Sequence, residues 1–156
     1  MLASVESTWT DAITSVFSSG IAGKAWFATA ALAFGVVQVS TGARIFGKLQ
    51  HLVPIGRPSV NRIHRWSGRI AILCTLPVAF HCIFILGFKT TDTRVLVHSI
   101  LGSFVYGVIV VKIFFVHDRD HPRWTLPVIG GTLFTTLVLL WSTSAYWYFT
   151  NVRFGF

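Results

Sequence analysis

The chain has 156 residues, of which 53% are hydrophobic and only 12% charged, and its mean hydropathy is +0.68. Soluble domains carry about 25% charged residues, so this composition excludes a soluble domain and a disordered chain, and two cysteines exclude a secreted disulfide scaffold. The formal net charge of +8 sits in segments between apolar runs, which points to membrane topology and excludes a soluble nucleic-acid binder.

Residues 1–24 lack the positive n-region of a cleavable signal. Val5, Trp9, Ile13, Val16 and Phe17 recur at helical spacing among Ser and Thr. This predicts either an amphipathic helix on the outer surface or a poorly ordered leader. Four apolar runs follow, at 25–42, 66–88, 95–116 and 124–149. Each is close to the ~20 helical residues that cross a hydrocarbon core. The runs are continuous, unlike the alternating segments of a membrane barrel, and in lipid every backbone group must be satisfied internally. The expected fold is all-α: a four-helix transmembrane bundle over residues 25–156.

The connector 43–65 carries Arg44, Lys48, Arg57, Arg62 and Arg65 without an acid, and Arg69 follows it. The third connector sets Arg119 and Arg123 against Asp118 and Asp120. On the other side, Lys89 and Arg94 face Asp92, and Lys24 faces Glu6 and Asp11. Positive-inside bias puts the first and third connectors on the cytoplasmic or matrix face and both termini outside. A bacterial cytoplasmic membrane is expected, with an organellar inner membrane as the alternative. Trp66 and Trp124 mark the inner interface, and Tyr146, Trp147 and Tyr148 the outer. Cys74 and Cys82, eight residues apart on one helix, lie about 12 Å from each other. That is too far for a disulfide, so both read as small core residues.

The chemistry rests on the six histidines. His51, near Pro54 and Pro58, belongs to the basic loop. His81 lies near the end of the second span and His98 near the start of the third. A short loop joins these spans, which makes them antiparallel neighbours and puts both imidazoles in the outer leaflet. An ionisable group within a span is costly and calls for a named partner. Two imidazoles without an acid are a poor zinc site, because zinc takes four ligands. They are a good axial pair for a haem iron. Gly102, one turn deeper than His98, leaves room for a flat macrocycle, and Pro77, one turn deeper than His81, can bend its helix to open the slot. The competing reading is that either histidine makes an interhelical hydrogen bond as packing glue.

His64 and His117 form a second couple at the inner headgroup level, with Arg62, Arg65, Arg69 and Asp118. Three readings stand: a second haem; a polar pocket for a quinone headgroup, a haem propionate or a partner's anionic group; or a cluster binding lipid phosphates. The planar fork of Arg65 suits bidentate anion contacts. Gln38 reads as a structural bond or a cofactor contact, and Lys112 as a snorkelling side chain. Ser142, Thr143 and Ser144 face a cofactor edge or bond back onto their own helix. Gly23, Gly35, Gly42 and the pair Gly130 and Gly131 predict close helix packing.

The segments His64-Arg65-Trp66-Ser67-Gly68 and His98-Ser99-Ile100-Leu101-Gly102 resemble the His-x-x-x-Gly elements of the cytochrome b561 class. The run 62–149 is similar to a four-span family on this pattern, although the b561 arrangement itself has six spans. The resemblance implies haem b, transmembrane electron transfer and no enzymatic pocket. Its ligand positions carry over first to His98, then to His81 and His64. Asn61 to Gly68 is also similar to the Ser-x-x-His-Arg-x-Ser-Gly segment of the cytochrome b subunit of succinate dehydrogenase. That implies a quinone role for Arg65 and a haem role for His98. Asn61 stands where that family has serine, and that family has three spans. The expected function is a haem b electron carrier between a quinone or inner donor and an outer acceptor or partner subunit. The alternative is a cofactor-free accessory subunit of a larger respiratory or photosynthetic complex.

Overall fold

The computed structural model describes residues 2–49, 51, 56–87, 90, 92–118 and 120–152, with side chains from residue 5 onward. Pro54, Lys89 and Arg119, and the expected end of the second span at Phe88, lie outside the described residues.

Six helices follow in order: α1 (Leu2–Thr14), α2 (Gly20–Ile45), α3 (Arg57–Phe80), α4 (Thr93–His117), α5 (Thr125–Trp141) and α6 (Trp147–Asn151). A π-helical stretch, His81–Leu86, continues α3, and another, Ser142–Tyr146, joins α5 to α6. No strand occurs among the described residues. Among the described residues four helical runs are long and apolar enough to cross a membrane: Gly20–Ile45, Arg57–Leu86, Thr93–His117 and Thr125–Asn151. The protein is an all-helical integral membrane protein whose solvent is a lipid bilayer.

Local chemistry sets the helix ends. Ser19 caps α2 by accepting from the Ala22 amide at 3.1 Å, and Asp92 caps α4 by accepting from the Val95 amide at 2.9 Å. The second apolar run begins at Trp66, yet its helix starts at Arg57. Pro58 falls in the first turn, where a missing N–H costs nothing. The 30 residues of Arg57–Leu86 make about 45 Å of helix, longer than a hydrocarbon core of ~30 Å. Arg57, Arg62, His64 and Arg65 therefore stand on helical turns at the end of the bundle rather than in a loop.

Helix α2 is the hub, packing along α3 on one side and against α5 and its π-helical stretch on the other, while α4 packs on α5. Small residues allow the close approach. A Cβ at Gly35 would stand 3.1 Å from Leu137, and one at Gly68 would stand 3.1 Å from the Gln38 carboxamide. Gly23 lies under Ile13 and Phe17, and Gly42 under His64. Gly130 and Gly131 differ from expectation: a Cβ on either meets nothing within 4 Å, so their face is not a packing seam. Ala22, Ala25, Ala145 and Tyr148 form the buried core where α2 meets the end of α5 and α6.

Helix α1 docks on this same end. Trp9 and Ile13 on α1, with Phe17 in the turn that follows it, form a half-buried stripe, whereas Val5 and Val16 are exposed. Trp9 stacks on Phe80 with ring centroids 4.7 Å apart. Helices α3 and α4, although consecutive, are not a packed pair. The space between them is a cavity.

Candidate functional site

The cavity measures about 730 Å³ and is bounded by α3 and α4 in front and by α2 and α5 behind. Arg94, His98, Gly102 and Tyr106 follow one another at four-residue intervals, so one stripe of α4 faces it. From Arg94 to Tyr106 the stripe runs about 18 Å along the helix. The opposing face of α3 presents Thr75, Val78, Ala79, Cys82 and Ile83. Charge is confined to one end, where Lys24 and Arg94 stand. At the other end, the Tyr106 hydroxyl donates to the Thr75 carbonyl at 3.1 Å, with the Thr75 hydroxyl 3.0 Å away. This bond ties α4 to α3 and closes the cavity floor.

His98 is held from behind. The Thr143 hydroxyl donates to the Leu139 carbonyl of its own helix at 2.9 Å, and its oxygen lies 3.0 Å from His98 Nδ1. With its proton committed, Thr143 accepts from Nδ1–H. That tautomer leaves Nε2 with a lone pair. The Thr143 carbonyl also accepts from Arg94 Nη1 at 2.7 Å, and the Arg94 guanidinium stacks over Trp147 at 4.5 Å. One residue of the π-helical stretch thus positions both the imidazole and the rim cation. Ser142 and Ser144 only bond back to Val138 and Leu140.

His81 is placed differently. Trp9 Nε1, which can only donate, lies 3.2 Å from His81 Nδ1, so the His81 proton resides on Nε2. The ring is 7% exposed, and a Cβ on Gly20 would touch its Cε1 at 3.0 Å. His81 lies one residue before Cys82 and is turned to the flank that meets α1 and α2, where Trp9 and Gly20 stand. The two imidazoles are therefore not presented to one space: His98 lines the cavity, and His81 and Pro77 are not among its lining residues. Pro77 sits inside α3 four residues before the π-helical stretch begins. Gly102 lines the cavity, and a Cβ there meets nothing within 4 Å.

At the opposite end His64 turns into the α2–α3 seam. Its Nδ1 is 2.9 Å from Thr41 Oγ1, and Thr41 itself donates to Val37 at 2.6 Å. Gln38 donates to the His64 carbonyl and, at 2.8 Å, to Ser67 Oγ, so its role is structural. His117 is exposed and donates from Nδ1 to Ile113 of its own helix at 2.8 Å. Their neighbours differ, and the structure does not join them. Arg65 is exposed on α3. Among the described residues no group of three or more His, Cys, Asp or Glu is arranged to hold a metal ion.

Lys24, Thr75, Arg94 and Tyr106 are cavity residues that the histidine pattern alone misses. The four-residue spacing that joins His98 to Gly102 extends to Arg94 and Tyr106 and could have found both. The partnership of Thr143 with His98 depends on how α5 registers against α4, which no local pattern encodes. No curated protein and no solved structure matches the chain. The profile of a family of unknown function (DUF6529) matches residues 3–156, and the chain belongs to that family.

Proposed function

We propose that the protein is a membrane-embedded haem b electron carrier whose cofactor sits in the cavity between α3 and α4. The observation that carries this reading is His98, a half-buried imidazole whose Nδ1–H is engaged by Thr143 and whose Nε2 is left as a ligand atom beside a 730 Å³ cavity. The rest of the donor set fits the group. The volume lies within the ~300–1,000 Å³ of small-molecule sites. The walls are mostly apolar, Gly102 leaves open space one turn from His98, and Lys24 and Arg94 stand at one rim for two carboxylates.

A bound haem b supplies one-electron transfer. His98 would hold the group through its Nε2, Thr143 would fix the tautomer and angle of that imidazole, and Lys24 and Arg94 would neutralise the carboxylates of the group. Val78, Ile83 and Leu140 exclude water from the walls. His81 becomes a second ligand only by giving up its bond to Trp9. Because His64 and His117 do not converge, the reading is one haem per chain.

Positive-inside bias puts the end carrying Arg44, Arg57 and Arg65 in the cytoplasm and both termini outside. Exposed Arg65 then faces a quinone or inner donor, and the Lys24–Arg94 rim faces an outer acceptor or partner subunit. A visible spectrum of the purified protein, with pyridine extraction to count haem, tests the reading. The expected result is one haem b per chain, lost in His98→Ala. A wild-type protein without haem overturns it and leaves the cofactor-free accessory subunit standing.

A further inference from the structure

A second concavity, of about 660 Å³, lies at the other end of the bundle, lined by Arg44, Ile45, Phe46, Gly47, Arg57 and Arg123. Its three guanidinium groups come from three separate places in the chain: the last turn of α2, the first residue of α3 and the segment entering α5. None of the described lining residues is acidic.

The backbone adds to the same field. Gly56 and Trp124, at the starts of α3 and α5, make no side-chain cap bond, and although Pro58 and Pro127 have no N–H and the Thr125 amide is taken by the Pro122 carbonyl, the positive ends of both helix dipoles lie at this end of the bundle. The α2 C-terminus, whose dipole would oppose an anion, is closed on itself instead. Gly47 adopts φ 84°, and the Lys48 amide returns to the Ala43 carbonyl at 2.9 Å.

We propose that Arg44, Arg57 and Arg123 bind a phosphate ester in this basin. Guanidinium forks match phosphate oxygens in planar pairs of hydrogen bonds, and three of them surround a tetrahedral group better than a flat carboxylate. Ile45 and Phe46 give the non-phosphate part of the ligand an apolar wall. Exposed Trp66 and Trp124 at the same end mark the headgroup level of the bilayer, where phosphate esters are concentrated. The basin shares no residue with the cavity beside His98, so it stands or falls independently of the haem reading.

The test is thermal unfolding of the full chain in a neutral detergent, titrated separately with inorganic phosphate and with phosphatidylglycerol. Stabilisation by phosphatidylglycerol alone identifies a lipid headgroup as the source. Stabilisation by both shows that the phosphate group suffices. In either case Arg44→Gln, Arg57→Gln and Arg123→Gln should each weaken the apparent affinity by roughly tenfold, one charge-assisted contact apiece. Arg123→Lys keeps the charge but loses the fork, and should fall between. Arg62→Gln, exposed on α3 outside the basin, should bind like the wild type. Helicity by circular dichroism and the Arg123→Lys variant separate lost binding from lost folding. No stabilisation of the wild type by either ligand, equal affinity in the triple Gln variant, or equal weakening by Arg62→Gln would overturn the assignment.

Discussion

His98 Nδ1 and Thr143 Oγ1 stand 3.0 Å apart, and this bond decides which nitrogen of the imidazole is left for the cavity. The same device recurs twice. Thr41 receives His64 while donating to Val37, and Thr29 receives the Trp141 indole at 2.9 Å while donating to Ala25 at 2.8 Å. Each threonine spends its proton on its own helix and offers its oxygen across the seam. In lipid, where an unpaired polar group has no water to fall back on, this satisfies both partners. Of the three, the His98 pair is the one in which both partners line the cavity.

Thr143→Val keeps the shape of the side chain and removes the acceptor for Nδ1–H. Haem affinity should fall by roughly 10–100-fold, the usual cost of losing an outer-shell partner of a ligating histidine. Haem titration of the apoprotein measures it. Thr143→Ser, which restores the oxygen, should recover most of the loss. An unchanged affinity in Thr143→Val would show that His98 is not held through this bond when the cofactor is in place.

His81 and Trp9 should behave as a structural pair. Trp9→Phe keeps the stack on Phe80 but loses the donor to His81, and should loosen α1 by about 1 kcal/mol. Limited proteolysis within residues 5–14 would speed up, while haem content stays at the wild-type level. His81→Ala should likewise retain haem, with the same spin state as the wild type. A low-spin wild-type spectrum that turns high-spin in His81→Ala would show that His81 leaves Trp9 to become the second ligand.

The four spans were legible because a long apolar run has one solution in lipid, and periodicity marked Trp9 and Ile13 on α1 and Phe17 just after it. Hydropathy did not show where α3 begins, since its first turns lie beyond the apolar run and are set by Gly56 and Pro58. His98 and Gly102 were legible as neighbours on one face. His81 was paired with His98 by depth alone, and depth does not say which flank of a helix a residue occupies. Cys82, one residue on, is the one that faces the cavity. Gly130 and Gly131 read as a packing motif because spacing carries no information about which helix, if any, lies opposite.

Two glycines should respond in opposite ways to the same change. Gly68→Ala puts a Cβ 3.1–3.2 Å from a Gln38 carboxamide that is pinned by Ser67 and the His64 carbonyl, so nothing can give cheaply. The expected loss is about 1–3 kcal/mol, the range for overpacking. Gly131→Ala meets open space, and relief of the helical glycine penalty should stabilise by up to ~1 kcal/mol. Unfolding in mixed micelles against denaturant reads both.

Membrane orientation is tested with single cysteines in a Cys74→Ser, Cys82→Ser background. Lys48→Cys, exposed after α2, should resist an impermeant maleimide in intact cells, whereas Thr90→Cys, exposed between α3 and α4, should label. The basis is the acid-free basic run from Arg44 to Arg65 beside two helix ends. The reverse pattern would exchange the donor and acceptor sides of the bundle.

Gly102→Phe probes the cavity without touching a ligand or a hydrogen bond. Gly102 shares the face of α4 with His98, and a Cβ there meets nothing within 4 Å, so a phenyl ring can enter the cavity without displacing backbone. Filling apolar space next to His98 should leave the helical spectrum and thermal midpoint near wild type, or raise the midpoint, because Phe buries surface where Gly buries none. Haem content should nevertheless fall to a small fraction of wild type, as the ring takes the room of the macrocycle. Gly102→Ala should keep haem, since one methyl in open space blocks little. Full haem loading in Gly102→Phe would place the cofactor somewhere other than the cavity between α3 and α4, even if His98→Ala had abolished it.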